Sequence, residues 1–302
     1  MKHLLTLFDV NRDDVEQIFS IATRLKSAMA TGKREPVLAQ RVAGLLFEKQ
    51  SLRTRVSFEA GMAQLGGSSI YLGQDVGWGK REPIADFGKV LSQYIDILVF
   101  RGKCHEQLVE LASHCTCPVI NGLTDFSHPC QALADLLTVQ ELCGGLAGKK
   151  IAFIGDGNNV SRSLAIACAM FDVHFSIASP AQYQLQSDFV ERVRKTYPDA
   201  RLELTESPVE AVTGASAVYT DVWASMGQES EANERRAAFR DYQVDAKLMK
   251  AGENPYFLHC LPAQRGEEVT ADVIDGNRSA IVRQAGNRMH VQKGVLVWLL
   301  TH

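Results

Sequence analysis

Residues able to grip a small anion fall at three places in this chain, each where an expected strand ends. The run Val42–Glu48 passes through Lys49-Gln50 into Ser51-Leu52-Arg53-Thr54-Arg55, which opens a helix. A helix start presents unpaired backbone N–H groups and the positive end of its dipole, which together attract phosphate. Ser51 and Thr54 add hydroxyl donors, and Arg53 and Arg55 add guanidinium forks that match phosphate oxygens. Read alone, the same segment is equally an N-capping serine followed by solvated arginines. Arg101 follows the run Ile95–Phe100 and by itself is an ordinary strand-end charge. His128-Pro129-Cys130-Gln131 follows the turn-forming Thr124–Ser127 at another helix start. Proline in that first turn sacrifices no N–H, and His128 and Gln131, three apart, project from one face. Together the three sites describe a pocket for a small, doubly charged anion.

A second set lies further along. Asp156-Gly157-Asn158-Asn159 follows an apolar run but lacks the spaced glycines of a dinucleotide-binding turn. Ser225-Met226-Gly227, after Asp221, reads in isolation as a surface loop. His259 reads as a satisfied core histidine and Cys260 as a strand residue. Neighbouring strand residues point to opposite faces, so the two are not expected to pair as base and nucleophile, which disfavours a covalent mechanism. Arg288, within Gly286–His290, is placed at the opening of the terminal helix, where the dipole opposes a cation and an anionic ligand would relieve the penalty.

Alternating short apolar runs and amphipathic stretches position these residues. Strands are expected at Val42–Glu48, Ser68–Leu72, Ile95–Phe100, Pro118–Asn121, Lys150–Gly155, Val173–Ala178, Leu202–Leu204, Ala217–Asp221 and Tyr256–Cys260. Helices are expected at Asn11–Ala30, Thr54–Leu65, Pro83–Gln93, Cys130–Leu142, Val160–Phe171 and Gln284–Leu300. This order predicts an α/β fold of two domains, each with a mostly parallel sheet flanked by helices. The glycine-rich segment Cys143–Lys150 separates a first domain, 1–142, from a second, 149–284, and the terminal helix, 285–302, packs back on the first. The 302 residues suit two such cores. A net charge of −3 gives no electrostatic case for nucleic acid or an anionic membrane. Acidic residues interrupt the opening MKHLLTLFDVNRDD before a signal sequence forms, and no run is long enough to span a bilayer, so the cytoplasm is the expected location. Seven irregularly spaced cysteines do not form a disulfide framework. Cys115-Thr116-Cys117 has no second ligand pair for a metal, and these thiols read as small buried apolar groups.

In Ser51–Arg55 and His128–Gln131 the sequence resembles the aspartate/ornithine carbamoyltransferase family. The likeness continues through Asp156–Asn159, Asp221–Glu229, His259–Pro262 and Gly286–His290, in an order similar to the ornithine branch. It implies two α/β domains bridged by two helices, and a homotrimer in which a loop of the neighbouring subunit completes each active site. It further implies that Ser51, Leu52, Arg53, Thr54, Trp78, Arg101, His128, Gln131, Cys260, Leu261 and Arg288 hold carbamoyl phosphate. Asn159, Asp221, Ser225, Met226 and Cys260, with Leu261 beside them, would hold ornithine. Thr54, Arg101 and His128 would stabilise the carbonyl oxygen as it gains charge, Arg53 and Arg288 would take the leaving phosphate, and Cys260 would orient the amine. Carbamoyl phosphate is already activated, so no metal or cofactor is implied. The partners are the two small substrates, with no nucleic acid or membrane.

Two positions depart from the ornithine pattern. Leu52 replaces a hydroxyl residue, and Gly77-Trp78-Gly79 replaces a glutamine in the loop shared between subunits, ahead of Glu82-Pro83-Ile84. Both look like the acetylornithine and succinylornithine enzymes. A hybrid is expected, with an acylornithine-like carbamoyl-phosphate pocket and an acceptor site for free ornithine. N-acylornithine as acceptor and a non-catalytic relative are the alternatives.

Overall fold

The run Val-Ala-Gly-Leu-Leu-Phe of β1 (Val42–Phe47) is buried at every position after the first, as an interior parallel strand requires because both its faces are covered. A computed structural model describes residues 2–224 and 229–301. They form two units, Met1–Ala134 with Gly286–His302, and Asp135–Ala285. In the first, β1 pairs in parallel with β2 (Ser68–Leu72) and β3 (Ile97–Arg101), and β3 pairs with β4 (Val119–Leu123), giving the order β2-β1-β3-β4. Helices α1 (Arg12–Ala30), α2 (Leu52–Gln64), α3 (Ile84–Leu91) and α4 (His105–His114) belong to this unit. Helix α1 starts with a capping box: Asn11 Oδ1 accepts from the Asp14 N–H at 2.9 Å, and Asp14 accepts from the Asn11 N–H at 3.1 Å.

The second unit holds β5 (Lys150–Ile154), β6 (His174–Ala178), β7 (Leu202–Thr205), β8 (Ala217–Thr220) and β9 (Tyr256–His259), all parallel in the order β7-β6-β5-β8-β9. Between the units in chain order comes α5 (Pro129–Cys143); within the second are α6 (Asn159–Met170), α7 (Ser187–Thr196), α8 (Pro208–Val212), α9 (Ala232–Ala238), α10 (Ala246–Met249) and α11 (Ala271–Ile274). The division falls inside α5 and inside α12 (Ile281–Thr301), so these two helices belong in part to each unit. No helix among the described residues is long and apolar enough to cross a membrane.

Both strand orders contain a switch point. The chain leaves β1 outward to β2 and then returns to the other side of β1 as β3; it leaves β5 outward to β6 and β7 and returns as β8. In open parallel sheets the crevice at the carboxyl ends of such a strand pair is where ligands bind. Thr54 lies just past β1, at the start of α2, and Arg101 at the end of β3, while Asn158 follows β5 and Asp221 follows β8. Two expectations are corrected. Arg101 is the last residue of β3, at an irregular step in its pairing with β4, instead of following the strand. Helix α12 begins at Ile281, so Arg288 sits two turns inside it and no dipole penalty bears on it.

Candidate active site

At the first switch point the chain converges on one hydroxyl. Ser51 is the N-cap of α2, its Oγ accepting from the Thr54 N–H at 3.3 Å, which turns Thr54 inward to near-complete burial. Thr54 Oγ1 accepts from Arg101 Nη1 at 3.3 Å and from Arg288 Nη2 at 2.8 Å. Arg288 Nη1 also donates to Gln131 Oε1. Arg101, Gln131, His128 and Arg288 are all buried. A hydroxyl has two acceptor sites and one donor. Both acceptor sites of Thr54 are taken by guanidinium groups, so its O–H proton is left to donate to a ligand.

Burial and the nearby Arg288 and Arg101 charges lower the His128 pKa well below its ordinary 6.5. The imidazole is therefore neutral at neutral pH. The sign of the pH effect follows: near pH 6.5 the unfolded chain binds a proton that the folded chain refuses. Stability from this group is complete above that pH and falls as the pH drops, by up to ~1.4 kcal/mol per pH unit. His3 and His174 shift the same way, chiefly through burial. Urea unfolding between neutral pH and about pH 5 is expected to show the slope, and His128→Gln to remove about one proton of it; an unchanged slope in that variant would place the effect elsewhere.

Leu52, at the first position of α2, is 73% exposed, and Arg53 beside it is half-buried. Trp78 is turned into its own chain. Its ring packs edge-on against Phe87 and Phe100, and its indole N–H donates to Glu48 Oε1 at 3.0 Å. Glu48, a carboxylate that the sequence reading passed over at this strand end, also accepts from the Lys103 N–H at 2.7 Å. Trp78→Ala thus tests packing as well as substrate binding.

The second switch point gathers Asp221, Cys260 and Asn158. Asp221 Oδ1 accepts from the Val222 N–H at 2.9 Å and from Cys260 Sγ at 3.1 Å, and its Oδ2 accepts from Asn158 Nδ2 at 3.1 Å. Asn158, which the sequence reading passed over, is the residue hydrogen-bonded to Asp221, and Asn159 beside it is the first residue of α6. Asn158 is the N-cap of that helix, its Oδ1 accepting from the Val160 and Ser161 N–H groups. Gly157 is required here, because a Cβ would come within 2.6 Å of the Gln184 backbone. Ser225 and Met226 lie outside the described residues.

The expectation that His259 and Cys260 diverge is also corrected. Strand β9 ends at His259, and Leu261 has φ +62°, so strict alternation stops before Cys260. The ligand atoms of Asp221, His259 and Cys260 lie within 4.8 Å of one another. The buried imidazole is nonetheless engaged at both nitrogens: Nδ1 accepts from the Leu261 N–H at 2.8 Å, and Nε2 lies 3.2 Å from Glu268 Oε1. That acceptor role fixes the tautomer with the proton on Nε2. Glu268 in turn accepts from the Gln264 N–H at 2.6 Å, so His259 and Glu268 shape the loop after Cys260.

Sequence reasoning missed a second support. Arg235, buried, donates to Asp156 Oδ2 at 2.8 Å, to the Trp223 carbonyl at 3.2 Å and to Glu231 Oε2 at 3.0 Å. It ties the turn that carries Asn158 to the segment that follows Asp221. Its partner Asp156 is 79 residues away, which no local pattern reveals.

Buried arginines around a hydroxyl at one switch point, and a carboxylate with a thiol and an amide at another, define a two-unit α/β protein that handles a small anion and a polar acceptor. Two family models match the chain: the carbamoyl-P binding domain of aspartate/ornithine carbamoyltransferase over residues 2–141, and its Asp/Orn binding domain over residues 147–299. The chain belongs to the aspartate/ornithine carbamoyltransferase family. It is 50% identical to an ornithine carbamoyltransferase of Bacillus subtilis over 99% of this chain and 94% of that protein. With one from Anoxybacillus flavithermus it shares 48% identity over 99% of this chain and 96% of the relative. The solved ornithine carbamoyltransferase of Pyrococcus furiosus superposes with a TM-score of 0.96 at 44% identity, over 99% and 97% of the two chains.

Proposed function

We propose that this chain transfers the carbamoyl group of carbamoyl phosphate to the δ-amine of L-ornithine, giving citrulline and phosphate. The observation that carries the reading is the convergence of Arg101 and Arg288 on Thr54 Oγ1, beside Gln131. The phosphate dianion is met by guanidinium forks and by the start of α2, and Arg53 takes part at that helix end. The amine lone pair attacks the carbonyl carbon, the bond from that carbon to the phosphate oxygen breaks, and the nitrogen releases a proton. Negative charge grows on the carbonyl oxygen, where the Thr54 O–H, Arg101 and the neutral His128 are donors; one such donor is worth ~3–4 kcal/mol of barrier. On the acceptor side, Asp221 suits the α-ammonium and Asn159 the α-carboxylate. The Cys260 thiol donates to Asp221 at 3.1 Å, which sets it beside the acceptor carboxylate to orient the nucleophile. This chemistry calls for no metal or cofactor. The working unit in this reading is a cytoplasmic homotrimer, three times the 33.2 kDa of one chain in solution.

Leu52 and Trp78 favour a second reading, an N-acylated ornithine as acceptor. Phosphate release measured with ornithine, N-acetylornithine, putrescine and aspartate separates the two. Ornithine is expected to give the highest kcat/KM; preference for the acylated amine would replace the first reading with the second, and no release with any acceptor would make the chain a non-catalytic relative. Because a free amine has a pKa near ~10, the rate with ornithine should climb from about pH 7 to 9. A flat profile over that range would exclude amine deprotonation as the controlling event.

A further inference from the structure

At the amino end of β4, opposite the end of this sheet that carries Arg101, two thiols meet. Cys115 closes α4, its N–H donating to the Leu111 carbonyl at 3.1 Å, and Cys117 stands two positions before β4. The side chains of Cys115 and Cys117 are hydrogen-bonded to each other. Helix α3 forms their seat. A methyl group at Gly88 would stand 3.4 Å from Cys115 Sγ, so that sulfur lies directly on the helix. Ser92, at the end of α3, donates its hydroxyl to the Gly88 carbonyl at 2.6 Å. The same oxygen accepts from the Thr116 N–H at 3.1 Å and from Cys117 Sγ at 3.7 Å. The residue between the two thiols is thus pinned with both sulfurs on one side. Cys115 is partly exposed and Cys117 buried.

We propose that Cys115 and Cys117 are a peroxide-reactive dithiol that closes reversibly to a disulfide. A thiolate sulfur attacks one oxygen of hydrogen peroxide, the O–O bond breaks, and the departing hydroxide is protonated to water, leaving a sulfenic acid. The second sulfur then attacks the first. The S–S bond forms as the S–O bond breaks, and with the second thiol's proton a second water leaves. Two electrons pass from the two thiols to the peroxide, so the step balances. No third metal-type ligand is needed, and the proposal is independent of carbamoyl transfer.

Electrostatics support the first step. The hydrogen bond from Cys115 lowers the Cys117 pKa to about 7, against burial and the charge of Asp96, which is itself held by Arg41 at 2.6 Å. Cys115 is raised by the same bond and by burial. The thiolate of the pair therefore sits on Cys117, with Cys115 keeping its proton and donating to it, and a small oxidant reaches the inner sulfur past the partly exposed outer one. At neutral pH about half of such pairs are ionised, so attack should be roughly ten times faster than at an ordinary thiol of pKa ~8.5.

The test uses the full-length reduced protein, treated with hydrogen peroxide at pH 7, alkylated, and mapped by mass spectrometry. The peptide containing Cys115 and Cys117 is expected to lose two hydrogens and escape alkylation before any other cysteine reacts, and to regain both thiols with dithiothreitol. Ser92→Ala should slow its closure. In Cys115→Ser the remaining Cys117 thiol should stop at a sulfenic acid that dimedone traps. The proposal fails if this peptide stays fully alkylated while Cys104 or Cys143 is consumed, or if the unmodified protein accumulates sulfenic or sulfinic acid there without closing the disulfide.

Discussion

Arg288→Met is expected to lower kcat/KM by about three orders of magnitude, with the dissociation constant for carbamoyl phosphate weakened about a hundredfold. The guanidinium reaches Thr54 at 2.8 Å with one nitrogen and Gln131 with the other, so its loss removes a fork and leaves the hydroxyl with Arg101 alone. A donor aimed at charge that develops in a buried site is worth ~3–4 kcal/mol, and ~4 kcal/mol is close to a thousandfold in rate. Stability should move the other way. Arg101 and Arg288 hold like charges on one neutral oxygen, so replacing one with an apolar chain of similar length relieves repulsion and desolvation. The melting temperature is expected to stay level or rise while activity collapses. Arg288→Lys should recover little, because an ammonium is a point charge that cannot fork to two partners. Activity within tenfold of the parent, at unchanged affinity for carbamoyl phosphate, would remove this cluster from the reaction. The variant also loses the larger of the two charges that depress His128, so its pKa rises toward the ordinary value and stability should fall less on acidification than in the parent.

That cluster was legible in the sequence as a set of residue types, and its convergence was not. The nine strands among the described residues were readable because parallel strands covered on both faces are nearly continuous apolar runs. Their ends were less so: Arg101, a buried arginine in the ladder, has no hydropathy signal. Helices α4 and α7 to α11 escaped the reading, since each is short or buries only a few residues, such as Leu108, Leu111 and Ala112 in α4. At α12 the expected start, Gln284, falls inside a helix that begins at Ile281, and Gly286-Asn287 lies deeper still. The helix runs straight through it and uses a different glycine, Gly294, to let α1 approach: a Cβ there would sit 2.5 Å from the Ile18 carbonyl. Asn158 and Asn159 are identical in type and adjacent, and only the point at which α6 begins decides which one caps the helix and reaches Asp221. The pairs Asp156–Arg235 and His259–Glu268 shape the acceptor side through contacts made after folding, so composition and spacing carry no trace of them.

Asp221→Asn is expected to raise the Michaelis constant for ornithine by about two to three orders of magnitude and leave the affinity for carbamoyl phosphate within about twofold. The carboxylate already accepts from Val222, Cys260 and Asn158, all neutral donors, so the full negative charge remains to receive an ammonium. Truncating one partner of such a charge pair costs ~2–5 kcal/mol, which sets the scale. An amide loses the charge and also turns a donor toward Asn158 or Cys260, which are themselves donors, so the local network must rearrange. Cys260→Ser retains a donor of similar reach and should cost far less than Cys260→Ala, because a hydroxyl keeps the bond to Asp221 that a methyl group loses. If Asp221 and Cys260 act as one device, the double variant should show a coupling energy of ~0.5–3 kcal/mol instead of a simple sum. An unchanged Michaelis constant for ornithine in Asp221→Asn, or additive effects in the pair, would mean that the acceptor is held elsewhere on the chain. Equal losses of affinity for both substrates would instead point to a folding defect, which denaturant unfolding of the variant reads directly.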